Sequence, residues 1–215
     1  MLLCELQYKQ LLHIRYRQKD TIIIQWFLEE NMLNILQMPT FISDDVIELH
    51  ARINHDYDID HWHEIHKYRS LLRQYLTWID KTTSIDDCAT TSEMFTNEWK
   101  QGKIYAYSVV LKSTQKAIGS IDIHNIDNNN KAELGYWISP SHNSKGFASR
   151  AVKLIEKQAF NCGIHRLVII IQKDNTPSSR VAERNNYILE GVLHDALYKY
   201  DRYFDAKIYA KINNS

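Results

Sequence analysis

Apolar and polar positions begin to alternate cleanly at residue 46. Ile47, Leu49, Ala51 and Ile53 interleave with Glu48, His50 and Arg52, the period of two that marks a half-buried strand. Trp62, Ile65, Tyr68, Leu72 and Tyr75 follow at helical spacing, and Ser84-Ile85-Asp86-Asp87 reads as a capping box for a second helix that Gly102 is placed to end. Residues 104–111 and 116–124 are two strands whose short connection predicts an antiparallel hairpin. Residues 131–138 form a further strand, with Ala132, Leu134, Tyr136 and Ile138 on one face and Glu133, Gly135 and Trp137 on the other. A helix runs from near Gly146 to Cys162-Gly163. The unbroken apolar run 167–171 predicts a central strand covered on both faces. Thr176-Pro177 reads as an N-cap and first helical position of a short helix ending at Asn185-Asn186. Residues 187–193 and 203–212 are the last strands. The order β-α-α-β-β-β-α-β-α-β-β predicts a mixed sheet with helices on both faces.

Residues 1–37 follow a different pattern. Leu3, Leu6, Tyr8, Leu11, Leu12 and Ile14 give a rough helical stripe, and residues 22–28 fit a strand or a buried helix equally well. This stretch is treated as an N-terminal extension, either without a working role or as a docking or dimerisation helix. Residues 38–215 are treated as the domain.

Composition narrows the class. Lys+Arg and Asp+Glu are both 26, so the formal charge is zero and the chain lacks the overall basic balance of a nucleic-acid binder. With 44% hydrophobic and 24% charged residues it has the make-up of an ordinary globular protein. Cys4, Cys88 and Cys162 are widely spaced and include no CxxC pair, which predicts a reduced cytoplasmic setting and no zinc ribbon. The apolar run at 22–28 is too short to span a bilayer, and no secretory signal is visible.

The candidate chemistry lies in residues 133–152, where a strand leads through a loop into a helix. The first N–H groups of that helix have no intrahelical partners and, with the helix dipole, form an anion site. Gly146 lets a phosphate approach the main chain, Ala148 keeps the first turn uncrowded, and Lys145 and Arg150 can add charge. Neither a P-loop nor a Gly-x-Gly dinucleotide fingerprint is present.

Asn143-x-x-Gly146-x-Ala148 resembles the pyrophosphate loop of the GNAT N-acetyltransferases. Glu133-Leu134-Gly135-Tyr136-Trp137, Asp174-Asn175-Thr176-Pro177-Ser178 and the run from Val181 to Gly191 are similar to motifs of the RimJ/RimL-like branch, which acetylates ribosomal-protein N-termini. The resemblance covers about residues 38–213. It implies the GNAT fold, a mixed, mostly antiparallel twisted sheet with helices on both faces, and acetyl-CoA as co-substrate with no metal. It further implies that Tyr136, Trp137 and Ile138 offer main-chain groups to pantetheine and that Asn143, Ser144, Lys145, Gly146, Phe147 and Ala148 hold the pyrophosphate. Asn175 and Ser178 would face the thioester, with Ser178 protonating the leaving thiolate. The acceptor would be a protein N-terminus, or alternatively a small amine. A weakly catalytic acyl-CoA binder is a further alternative, and a homodimer remains an option.

Four positions depart from the family pattern. Asn143 and Ser144 stand where Gln/Arg and glycine are usual. Asn186 replaces a helix-ending glycine. Leu197 stands where the branch has a glutamate proposed as general base. Glu133, on the strand lining the cleft, is the first choice to replace it, with Asp195 and Asp205 as fallbacks.

Two other patterns carry less. His61-Trp62-His63-Glu64-Ile65-His66 misses the H-E-x-x-H zinc spacing, and Asp56, Asp58 and Asp60 lack the glycine and glutamate of a calcium loop. The acids at 56–60 fit a helix start and could attract a basic peptide.

Overall fold

The computed structural model describes residues 36–214. The elements expected within residues 1–35 lie outside the described residues. Eight strands form one sheet: β1 (Phe41–Ser43), β2 (Ile47–Ala51), β3 (Tyr105–Leu111), β4 (Lys116–His124), β5 (Lys131–Ile138), β6 (Arg166–Gln172), β7 (Ile188–Lys199) and β8 (Arg202–Ile212). They lie in the order β1-β2-β3-β4-β5-β6-β8-β7. Among the described residues only the β5–β6 pair is parallel. The helices are α1 (Asp58–Leu72), α2 (Ile85–Lys100), α3 (Phe147–Asn161) and α4 (Thr176–Arg184). The expected fold class therefore holds.

Side-chain alternation divides the sheet into two unlike faces. Tyr107, Ile121, Leu134 and Tyr136 point to the apolar core with Ala151, Val152 and Ile155 of α3 and Ala182 of α4. The opposite face is polar by register: Ser108 is opposite Ser120, Asp122 opposite Gly135, and His124 opposite Glu133. Helix α1 lies on that face, where Trp137 packs with Ile65 and Leu72 and His61 Nε2 meets Ser108 Oγ at 2.9 Å. His61 is fully enclosed, so burial and the neighbouring Arg52 push its pKa well below the ordinary value and keep it neutral.

Local signals explain most element ends. Ser84 closes the expected capping box: Asp87 N–H donates to its Oγ at 3.3 Å, and Ser84 N–H donates to Asp87 Oδ2 at 2.8 Å. Gly102 sits at φ 69° and its N–H bonds Trp99 O, stopping α2. Asn186 takes the left-handed conformation expected of the missing glycine, at φ 62°.

The structure corrects four expectations. The cap of α4 is Asn175, not Thr176, and its side chain accepts from Ser178 N–H at 3.2 Å. Thr176 is thus already helical, and Pro177 falls one place later than expected. Strand β7 runs on to Lys199 through two irregularities, between Leu189 and Gly191 and between Leu193 and Leu197. Strand β1 and a short 3₁₀ turn at Thr77–Lys81 were not foreseen.

Candidate active site

The site is built where two parallel strands part. β5 and β6 pair over only three positions, Lys131 with Arg166, Ala132 with Leu167 and Glu133 with Val168. Past Glu133 their main chains diverge, while β4 holds β5 as far as the Gly119–Ile138 pair. Gly119 makes that hold possible, because a Cβ there would lie 2.1 Å from Trp137 O. The divergence opens a cleft of about 440 Å³ lined by Tyr136, Trp137 and Ile138.

At one end of the cleft stands the loop before α3. A 3₁₀ turn, Pro140–His142, leads into it, and Gly146 is the N-cap at φ 83°. Ser144 is also left-handed, at φ 62°, a conformation glycine would adopt without strain. A Cβ at Gly146 would have nothing within 4 Å, so the space beside this main chain is open. The N–H groups of the first turn have no intrahelical partners. Asn143, Ser144, Gly146, Phe147 and Ala148 line the cleft.

Neither of the two cations expected beside the loop lines the cleft. Lys145 Nζ donates to Ser141 O at 3.3 Å. Arg150 is bound to Asp44 and Asp45, at 2.9 and 2.8 Å, on the β1–β2 side. Arg180 and Arg184 of α4 line the cleft instead. Sequence reading missed them because two arginines four apart on a short helix look like any solvated face.

Helix α4 forms one wall. Its N-cap Asn175 and its Ser178 both reach the cleft. Ser178 Oγ donates to Tyr136 Oη at 2.9 Å, and Tyr136 Oη donates to Ser178 O at 3.2 Å. Burial pushes the Tyr136 phenol up to about 12 against the lowering effect of Ser178, so it stays protonated. At the other end of α4, Asn185 Nδ2 donates to Ser149 Oγ at 2.8 Å, tying this helix end to the first turn of α3. The facing wall is mainly apolar, formed by Leu71, Leu72, Tyr75 and Leu76. The β7–β8 turn braces it: Lys199 Nζ donates to Gln74 O, and Tyr200 Oη donates to Arg73 O at 3.3 Å.

Glu133 does not line this cleft. It lies on the polar sheet face, where its Oε2 accepts from Asn125 Nδ2 at 3.1 Å and its Oε1 is 3.7 Å from His124 Nε2. His124 Nδ1 is 2.6 Å from Asp122 Oδ1. Burial alone would lower the His124 pKa. The two carboxylates outweigh it and raise the value to about 10. Burial likewise opposes ionisation of Glu133, but His124 and Asn125 win and its pKa falls. The trio is thus an imidazolium held between two carboxylates. Leu197 sits opposite Phe204 and, like Asp195 and Asp205, does not line the cleft. Asp205 is engaged with Lys173 Nζ at 2.9 Å and Asp195 N–H at 3.2 Å.

The histidine and aspartate patterns near α1 have structural partners. Asp58 is buried beside Arg52 and Ser92, and Asp60 accepts from Ala117 N–H at 3.0 Å. Among the described residues no group of side chains is arranged to hold a metal ion, and no helix is long and apolar enough to cross a membrane.

A splayed parallel strand pair beside a glycine-capped helix defines an acyl-CoA-dependent transferase of the GNAT type. The GNAT acetyltransferase domain matches residues 49–187. The chain is 34% identical to a ribosomal-protein-serine acetyltransferase of Escherichia coli, over 82% of this chain and 98% of that protein. An uncharacterized N-acetyltransferase of Bacillus licheniformis is 30% identical over 53% of this chain and 65% of its own length. Among solved structures, RimL, a ribosomal alpha-N-protein acetyltransferase in complex with coenzyme A, superposes with TM-score 0.74 at 25% identity, covering 81% of this chain and 97% of that one. The microcin self immunity acetyltransferase MccE, solved with acetyl-CoA and AMP, shares the fold at TM-score 0.76 and 24% identity, covering 83% and 99%. The chain belongs to the GNAT acetyltransferase family. It is an N-acetyltransferase whose co-substrate is acetyl-CoA.

Proposed function

We propose that this enzyme acetylates the N-terminal α-amine of a ribosomal or similar protein in the cytoplasm. The observation that carries this reading is the make-up of the cleft: among the described residues no carboxylate lines it, and its acceptor-side wall is largely apolar. A polyamine or lysine side chain has a pKa near 10.4, so only about one molecule in a few thousand is neutral at pH 7. An α-amine, at about 7.7–8.0, is already neutral in roughly one molecule in ten. A cleft without a lining carboxylate suits the amine that needs less help. The ribosomal-protein-serine acetyltransferase of Escherichia coli, matched along nearly its full length, supports the same acceptor class.

In this reading the main-chain N–H groups from Ser144 to Ala148 hold the diphosphate beside Asn143, whose own N–H is bonded to Pro140 O at 3.3 Å. The unpaired side of β5 at Tyr136, Trp137 and Ile138 receives the pantetheine arm, and N–H groups there polarise the acetyl carbonyl. The amine nitrogen bonds to the carbonyl carbon and the carbon–sulfur bond breaks, its electron pair leaving on sulfur. Ser178 Oγ delivers a proton to that sulfur and takes one back from solvent, while Tyr136 Oη, which stays protonated, holds the serine in place. Asn175 fixes the start of the helix that presents Ser178. The proton lost by the amine is taken by water; Glu133, the one carboxylate of β5, lies outside the cleft on the polar sheet face and receives it only along a water chain.

An acetyl-transfer assay tests this on three acceptors: peptides with a free N-terminus, the same peptides blocked at the N-terminus but carrying lysine, and spermidine. Turnover is expected on the first alone. Faster turnover of spermidine would replace the α-amine reading. Acetyl-CoA binding without turnover on any of them would make the chain a weakly catalytic binder. Ser178→Ala should lower kcat about 100-fold, the lower range for loss of a positioned proton donor. Glu133→Gln should lower it about tenfold, at or below that range because the proton travels through water. If both variants keep wild-type kcat, these role assignments fall.

A further inference from the structure

We infer that Arg180 and Arg184 bind the ribose 3′-phosphate of coenzyme A and so make the enzyme discriminate coenzyme A from its 3′-dephosphorylated form. The inference rests on the loop Asn143–Ala148 holding the diphosphate.

The two arginines stand four residues apart, on one face of α4, and both line the cleft. Among the described residues neither guanidinium has an ion-pair or hydrogen-bond partner. Of the two cations expected beside the loop, Lys145 donates to Ser141 O and does not line the cleft, and Arg150 is paired with Asp44 and Asp45. With no carboxylate among the described residues that line the cleft, the pair is positive charge without a counter-charge from that lining.

Position along α4 identifies the ligand. Ser178 and Tyr136 mark the thioester end of the cleft. Arg184 lies six residues further on, about 9 Å along the axis at 1.5 Å per residue. Its neighbour Asn185 is tied to Ser149 in the first turn of α3. The arginines therefore approach the phosphate end, not the acyl end. There the helix start beside the open space at Gly146 is the place for the diphosphate, which leaves the third phosphate of the ligand for the side chains. Guanidinium forks suit a terminal phosphate, which offers several free oxygens for paired hydrogen bonds.

Titration calorimetry with coenzyme A and with 3′-dephospho-coenzyme A, on the wild type and on R180Q, R184Q and the double variant, tests this without turnover. Both arginines are exposed, so the variants should fold, and their melting curves check that. The wild type should bind coenzyme A more tightly than the dephospho form. Each variant should weaken coenzyme A about tenfold, the low end for a charge-assisted contact, and leave the dephospho form unchanged. In the double variant the two affinities should converge. Equal weakening of both ligands would place the guanidiniums on the diphosphate and overturn the inference, as would no weakening of either. If wild-type protein binds neither ligand, the loop reading itself fails, a result distinct from the other two.

Discussion

His124 shows how much one residue's surroundings decide. Its ring is held by Asp122 at 2.6 Å and faces Glu133 at 3.7 Å, and its pKa rises to about 10 once the two carboxylates outweigh burial. A folded-state pKa above the unfolded value of about 6.5 contributes stability that is complete below pH ~6.5 and disappears as pH climbs through ~10. Glu133 works in the opposite sense, because its lowered pKa adds stability above its unfolded value that is lost in acid. The melting midpoint of His124→Gln should therefore fall furthest below wild type near pH 6, and the gap should close by about pH 10. A gap independent of pH would mean that packing, not charge, is what His124 supplies. The sequence showed each of these residues on its strand, but not that the register sets His124 directly opposite Glu133. Likewise Arg150 looked like a phosphate ligand, and only the fold shows Asp44 and Asp45 taking it.

Among the elements, the site depends on β5 being held on one edge and released on the other. Gly119 governs the held edge. Any side chain there would meet Trp137 O at 2.1 Å and Ile138 Cα at 2.9 Å, both main-chain atoms that cannot swing aside. Gly119→Ala should lower unfolding free energy by more than about 2 kcal/mol, within the range of severe overpacking, and should weaken coenzyme A binding because Trp137 and Ile138 line the cleft. Chemical denaturation with and without coenzyme A measures both effects, and a neutral result would show that β4 does not set the position of β5. Strands with regular alternation and helices with proper caps were legible in the sequence. Strand β1 was not, since three residues carry too little pattern, and β7 was cut short because its irregularities interrupt the period of two. The cap of α4 was misplaced by one residue because Asn175 and Thr176 are both good caps, and only coordinates show which side chain meets Ser178 N–H.

For the molecule as a whole, we propose residues 38–215 as the transferase domain, with Leu36 and Gln37 as a required lead-in. Tyr105 Oη donates to Leu36 O at 2.6 Å and Tyr107 Oη donates to Pro39 O at 2.7 Å, while Met38 is buried beneath the sheet. Both tyrosines are almost wholly enclosed, and a buried hydroxyl left without its acceptor costs about 1–3 kcal/mol. A chain beginning at Leu36 should melt cooperatively and bind coenzyme A as the full chain does. One beginning at Asp44, which removes both acceptors and β1, should lose about 3 kcal/mol or more. Calorimetric melting of the two distinguishes them, and failure of the Leu36 chain to melt cooperatively would put an essential part of the domain earlier in the sequence.

The outermost strand, β7, carries Ile188, Leu189, Val192, Leu193 and Tyr198 exposed to solvent, an invitation to stack a foreign strand alongside. Its two irregularities and the left-handed Asp195, at φ 50°, break the row of main-chain donors and acceptors into short, twisted stretches. A neighbouring chain could therefore pair over only a few residues before losing register. The same kinks that hid this strand from a periodicity reading make the rim of the sheet a poor template for aggregation.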